Sequence, residues 1–545
     1  MKIKKISATI LAVCLLFASC EDLTEVNRNP NEITDVGGYL LLSTILTGTA
    51  TMYHKDNFSD GRISTAVQHL QILNGIGGNI YDWHEAGWTG LYDILRNNRR
   101  MYEDAVAQDN HFYVGAALVM RAFVYGYITD LWGDCPYSEA LKGDGDIFYP
   151  RFDPQEEVYN GILTDLENAN TELAKEMPAY SPAEAVYDIA YGGDVLKWRK
   201  LANSLALRYY MRLSEKAPDR ARAGVEKILS NPDAYPVMTS NDDACAPAYP
   251  GVNTWDSWDD HWADGGEFFR NHRPCRTLID VLQAYSDPRL PVWFTPVEVQ
   301  LVVEEPPYTH PEEDITVDNR RYVHSDAAIL ENGAVYFDES EYVGLPPNTI
   351  DRFRFNLHPM DRYAVNPHLS YLTPMFQERT HPLVRAVLFP YSEVCFLQAE
   401  AAQRGWNTGG IPASQAYHNG IRASLAAWGV ESAYNACISQ PGVAYADRLE
   451  QIIEQKWIAS FLLPEAWFDW RRTGYPHLPV RYPEAALKSV VPVRYMYPEV
   501  ENRYNTAHYN EAVGRLERTE HLISASKVDD PFAKPWIIQG TGKPW

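Results

Sequence analysis

Six successive runs in the first 230 residues return apolar side chains every three to four positions: 40–52, 63–73, 88–106, 112–131, 158–173 and 196–213. That period belongs to helices with a core-facing side, and short polar breaks between the runs allow each helix to fold back on the last. In the clearest run Phe112, Ala116, Met120, Phe123, Tyr127 and Leu131 fall on one stripe, which predicts an amphipathic helix. Asp153 before Pro154 marks a helix start, and Asn231-Pro232 a stop. The expected architecture is therefore mostly α, a scaffold of stacked antiparallel pairs like a tetratricopeptide (TPR-like) helical repeat, although no clean sequence repeat is visible.

The texture changes at residue 234. From there to 380 the chain is rich in Pro, Gly, Asp and aromatic residues, as in "YPGVNTWDSWDDHWADGGEFF" (249–269), and reads as a loop-rich insertion carrying short strands. Helical spacing returns at 383–404, 413–428 and 445–463, and a loop-rich tail runs from 479. The expected organisation is a single domain over 20–545: a helical repeat part at 20–233, the insertion at 234–380, returning helices at 381–478 and the tail at 479–545.

Residues 1–19 are set apart from that domain. Lys2, Lys4 and Lys5 precede a short apolar segment, and Ala18 and Ser19 stand directly before Cys20, so the start reads as a secretory signal ending in a bacterial lipobox. Phe17 departs from the commoner leucine, and Cys14, behind the bulky Val13, fits less well. On this reading the Cys20 thiol carries diacylglycerol, its new amino terminus carries a third chain such as palmitate, and several acyl chains together give a stable membrane anchor. No apolar run after Cys20 reaches the length of a spanning helix by inspection.

Composition narrows the function. Removing residues 1–19, with three lysines and no acids, takes the net charge from −24 to −27, which excludes nucleic acid as an expected partner. With 15 Trp and 35 Tyr the chain can fill a large core and keep rings for ligands. Cys135, Cys245, Cys275, Cys395 and Cys437 show no CxxC spacing, so no zinc site is expected; one bridge, such as Cys245 with Cys275, remains open, and Cys135 and Cys395 read as buried thiols.

Enzyme motifs are largely missing. "NGIGGN" (74–79) lacks the last glycine of GxGxxG, and in "HEAGW" (84–88) Trp88 stands where a zincin needs its second histidine. "GDGD" (143–146) has the acidic spacing of a calcium loop, but Phe148 breaks the EF-hand pattern and a plain turn explains it better. No catalytic residue, metal ligand or cofactor is assigned, apart from the covalent lipid at Cys20.

Sugar capture needs aromatic platforms edged by amides, carboxylates and guanidinium groups, and two segments supply them. The first is 253–273, where Trp255, Trp258 and Trp262 alternate with Asp256, Asp259 and Asp260 ahead of Asn271 and Arg273. The second is 79–88, where Asn79, Tyr81, Asp82, Trp83 and His84 are expected to face solvent. The same rings could instead anchor the loops that carry them.

Seven segments stand in order: Cys20 with Glu21 and Asp22, "NRNPNE" (27–32), "WTGLYDILRNN" (88–98), "RAFVYGYITDLWGDCPYSEAL" (121–141), "LIDVLQAYSDPRLPVWF" (278–294), "IIEQKWIASFLLPEAWFDWRRTGYPHL" (452–478) and "VPVRYMYPEVENRYN" (491–505). Together they resemble the SusD/RagB family of outer-membrane nutrient-binding lipoproteins, particularly its variant SusD-like branch. Within them Asp134 is placed to cap backbone amides. Trp467 and Arg471 are spaced to stack, and Asp469, Arg471 and Arg472 read as an ion-paired scaffold rather than as catalysts. The resemblance implies a cell-surface lipoprotein that captures an oligosaccharide and delivers it to a SusC-type TonB-dependent outer-membrane transporter. Peptide capture, as in RagB, and a surface glycosidase are the alternatives.

Overall fold

The computed structural model describes residues 37–545 except 59–60, 74–76, 178–180, 253–270, 328–336, 350–354, 358–365, 481–488, 525 and 544. The signal segment, Cys20, Trp255, Trp258 and Trp262 lie outside the described residues.

The predicted helices form with small shifts of boundary. They are α1 (Gly38–Phe58), α2 (Thr89–Ala107), α3 (His111–Trp132), α4 (Gln155–Glu172), α5 (Val195–Arg212) and α6 (Pro218–Leu229). After the insertion, which holds α7 (Arg276–Ala284), come α8 (Tyr391–Gln403), α9 (Ala413–Ala427), α10 (Leu449–Ala459) and α11 (Glu465–Thr473). Each of α1 to α6 packs on the next in the chain, α1 also reaches α3, and α8 joins the two halves by packing on α5, α9 and α10. The protein is thus mostly α, a TPR-like stack of helices.

Local chemistry sets the ends of these helices. Asn110 accepts a hydrogen bond from Tyr113 N–H at the start of α3, and Asp194 accepts one from Lys197 N–H at the start of α5. At the start of α4, Gln155 N–H donates to Asp134 Oδ1 (2.7 Å), so Asp134 caps a helix 21 residues further on. Asp153 turns the other way and accepts from Tyr137 N–H, Ser138 N–H and the Ser138 hydroxyl.

Two expectations are corrected. Helix α3 is not amphipathic: every residue from Phe112 to Trp132 except Arg121 is buried, because α1, α2, α4 and α5 all pack on it. Its length and hydropathy would suit a bilayer, but 94% of its apolar window lies inside the fold. The α3–α5 crossing is so close at Gly126 that an added Cβ would lie 2.0 Å from the Tyr209 hydroxyl. The run at 63–73 is also not one helix; a short turn, Arg62–Ala66, gives way to strand β1 (Leu70–Ile72).

Strands are few and short. β1 pairs antiparallel with β4 (His272–Pro274), and β2 (Cys135–Pro136) with β3 (Phe152–Asp153). Within the insertion, β5 (Gln300–Glu304) and β6 (Asp314–Val317) flank β7 (Arg320–His324), parallel on one side and antiparallel on the other. One continuous apolar core runs from Leu41 to Trp545 and draws on both helical halves and the insertion. The five described cysteines are buried and no two of them are bridged, Cys245 and Cys275 included; their backbones bridge to Phe389 and Leu345 respectively.

Candidate functional site

The scaffold carries a buried ion network where α3, α5, α8, α10 and α11 meet. Arg208 pairs with Glu393 (2.6 Å) and Glu465 (3.3 Å), and Arg212 with Asp130 (3.3 Å) and Glu465. Lys456 pairs with Asp469 (2.7 Å), and Arg472 bridges Glu400 (2.5 Å) and Asp469 (2.9 Å). Arg471 lies 3.7 Å from Asp130, donates to the carbonyls of Asp130 (2.6 Å) and Val493 (2.8 Å), and stacks 4.7 Å from the Trp467 ring centroid. Five cations therefore face five carboxylates, all nearly without solvent contact. Burial works to raise Asp469, but Lys456, Arg472 and Arg212 hold it well below the usual carboxylate range. Glu465 and Glu400 are likewise held low by their arginines against burial, whereas burial wins at Asp130 and raises it. Such a network fixes packing; with every carboxylate tied up, it has no free acid or base to offer a substrate.

The segment at 79–88 folds inward. Asn79 is locked to β1 by two hydrogen bonds, from Ile72 N–H (2.8 Å) and to the Ile72 carbonyl (2.7 Å). Tyr81, at φ 62°, is 1% exposed, and burial pushes its hydroxyl up to about 12. Trp83 is 2% exposed, its ring 5.5 Å from Trp467 and 5.3 Å from Tyr495. Against expectation, then, Asn79, Tyr81 and Trp83 do not face solvent: the loop pays for its irregular backbone by placing its rings in the aromatic core. His84 is exposed, and half-exposed Asp82 lies 3.9 Å from it.

The second segment is described only where it rejoins the fold. Asn271 is half-buried and its carbonyl accepts from Leu73 N–H (2.8 Å). Arg273 is fully buried with its guanidinium 3.7 Å above the Tyr371 ring, and burial lowers it to about 10. Arg273 thus seats the end of the loop on β1 and does not present a charge at the surface. At "GDGD", the Asp144 carboxylate is held by Arg99 (2.8 Å) in a short turn.

Sequence reasoning did not find a cavity of about 440 Å³ between the start of α5, the 3-10 turn Asn241–Asp243, the 376–392 stretch and the ends of α9 and α10. Phe376, Trp428 and Phe461 supply its aromatic wall. Trp428 is half-buried and backed by Trp293, 5.5 Å away, which stacks on Phe461 at 4.3 Å. Polar lining comes from His54, Lys197, Asn241, Asp242, Arg385 and Ser392. Burial lowers the His54 imidazole to about 4, so it is neutral at neutral pH. These residues come from six separate stretches of chain, and no local motif joins them.

The comparisons with known proteins agree with this fold. A family model described as "Starch-binding associating with outer membrane" matches residues 30–498. SusD-like protein P2 of Formosa agariphila is 26% identical over 219 residues, which is 34% of this chain and 43% of that protein; SusD-like protein P25 of the same organism is 23% identical over 175 residues, 31% of this chain and 28% of that protein. The chain's match thus spans less than half the length of either relative. Among solved structures, a SusD homologue from Bacteroides fragilis superposes with a TM-score of 0.71 at 24% identity, covering 92% of this chain and 100% of that one. A chitin-binding protein superposes at 0.67 with 25% identity, covering 92% and 99%. With a family match that takes in most of its length, this chain belongs to the SusD-like family of starch-binding proteins that associate with the outer membrane.

Proposed function

We propose that the protein captures an oligosaccharide at the cell surface, held there by lipid on Cys20, and delivers it to a SusC-type TonB-dependent transporter. The observation that carries this reading is the family match over residues 30–498; the likeness to a chitin-binding protein at 25% identity supports a glycan as the ligand class. The protein works by binding, without a cofactor and without cleaving its ligand. Trp255, Trp258 and Trp262 form the stacking surface, with Asp256, Asp259 and Asp260 bonding sugar hydroxyls, and exposed His84 adds a second polar contact.

Screening the purified protein against a glycan array and a peptide library, with product analysis on the same samples, tests the reading. Glycan binding with unchanged ligand is expected; peptide binding alone would point to RagB-like capture, and shortened products to a glycosidase. Replacing Cys20 by Ala should release the protein into the periplasm. Retention at the outer membrane, with cleavage by protease added to whole cells, would overturn the anchor.

A further inference from the structure

The cavity beside α5 is built differently from the rest of the charged interior. Lys197 and Arg385 both line it, and among the described residues neither has a carboxylate within ion-pair distance; Arg385 Nε donates to the Ala246 carbonyl (2.7 Å). One turn along α5 the contrast is plain: Lys200 is paired with Asp243 at 2.8 Å. Ser392 also lines the cavity. Asp242, without an ion-pair partner among the described residues, lines the same space, and half-buried Trp428 offers its ring to a ligand.

From these observations, and resting on the oligosaccharide reading above, we propose that this cavity takes one end of an anionic oligosaccharide, a sugar carrying a carboxylate or a sulfate. Lys197 and Arg385 meet the charge, Ser392 donates to a ring or hydroxyl oxygen, and Asp242 accepts from hydroxyls. Trp428 packs on the pyranose face. In a chain of net charge −24, two cations left unpaired at one cavity supply local attraction that the surface as a whole denies to an anion. A volume of about 440 Å³ lies within the range of about 300–1,000 Å³ usual for small-ligand sites, which fits a chain end and not a long stretch of polymer.

Calorimetry of the full chain with an oligogalacturonate, a sulfated galactan oligosaccharide and a maltooligosaccharide of equal length tests this. At least one anionic probe should bind more tightly than the neutral one and weaken as salt rises; which one identifies the anionic group. The double variant Lys197→Gln, Arg385→Gln should weaken that probe by about tenfold or more and flatten its salt dependence. Ala427→Phe, which narrows the cavity without altering charge, should weaken it as well. Neutral binding with no anionic preference, or an anionic preference untouched by both variants, overturns the cavity assignment and leaves oligosaccharide capture standing. If no glycan of any kind binds, on the array or here, both fall.

Discussion

The interior network around Glu465 and the cavity beside Lys197 use the same kinds of side chain to opposite ends. In the network each guanidinium, ammonium and carboxylate is answered by another, and five positive groups meet five negative ones with almost no water. In the cavity two cations and one carboxylate have no ion-pair partner among the described residues. Balanced charge in the core holds helices in register; unbalanced charge at a cavity is free to meet a ligand. Mutations should therefore separate the two regions by what they damage.

The largest effect is expected in the network. Glu465→Ala removes the partner of Arg208 and Arg212 and the acceptor for the Tyr53 hydroxyl (3.2 Å), leaving buried positive charge uncompensated. A loss of about 3–5 kcal/mol in urea unfolding is expected, with ligand affinity of the folded fraction unchanged. Trp83→Ala should behave in the same way, at about 3–5 kcal/mol, since it empties a buried site against Trp467 and Tyr495. A Trp83→Ala protein that melts normally but loses sugar would return that ring to the binding site.

Acid should act next. Burial lowers His54 to about 4 and His69 to about 3, so between pH 6.5 and those values the unfolded chain binds protons that the folded chain refuses. Stability therefore falls as pH drops through that window, by about 2 kcal/mol for each histidine between pH 6.5 and 5. The depressed carboxylates Asp469, Glu465 and Glu400 extend the loss below pH 4, as each is protonated at its lower folded value, while Asp130, raised by burial, acts in the opposite sense. Melting temperature measured against pH should show decline beginning near pH 6.5. A flat profile from 6.5 down to 4.5 would mean that these imidazoles are not buried.

Trp258→Ala is expected to weaken sugar binding by about 1–3 kcal/mol with little change in melting, the reverse of Trp83→Ala. The smallest effect on stability, within about 0.5 kcal/mol, is expected for Lys197→Gln and Arg385→Gln, whose charged groups reach solvent and hold no ion pair.

The sequence showed the helices well and the site poorly, for physical reasons. A helix of the scaffold repeats its demand for burial every turn, so α2, α4, α5 and α9 could be bounded to within a few residues. Helix α3 was located but misread as one-sided, because a stripe along its length says nothing about neighbours on its other faces. Asp469, Arg471 and Arg472 stand within five residues of Trp467, which marks them as an ion-paired scaffold, and all three take part in the buried network. Tyr81 and Trp83 went the other way: a ring in an irregular polar segment looks exposed, and only the tertiary partners Trp467 and Tyr495 show that it is not. The cavity joins Lys197 with Arg385 and Trp428 across more than 180 residues, and no local pattern records such a meeting.

Capture of an oligosaccharide by this SusD-like chain is tested most directly by equilibrium binding of the purified protein across a glycan panel, with the ligand recovered afterwards and its length measured. Saturable binding of at least one glycan, recovered intact, is the predicted result. Failure to bind any glycan while binding peptides, or recovery of a shortened glycan, would contradict it.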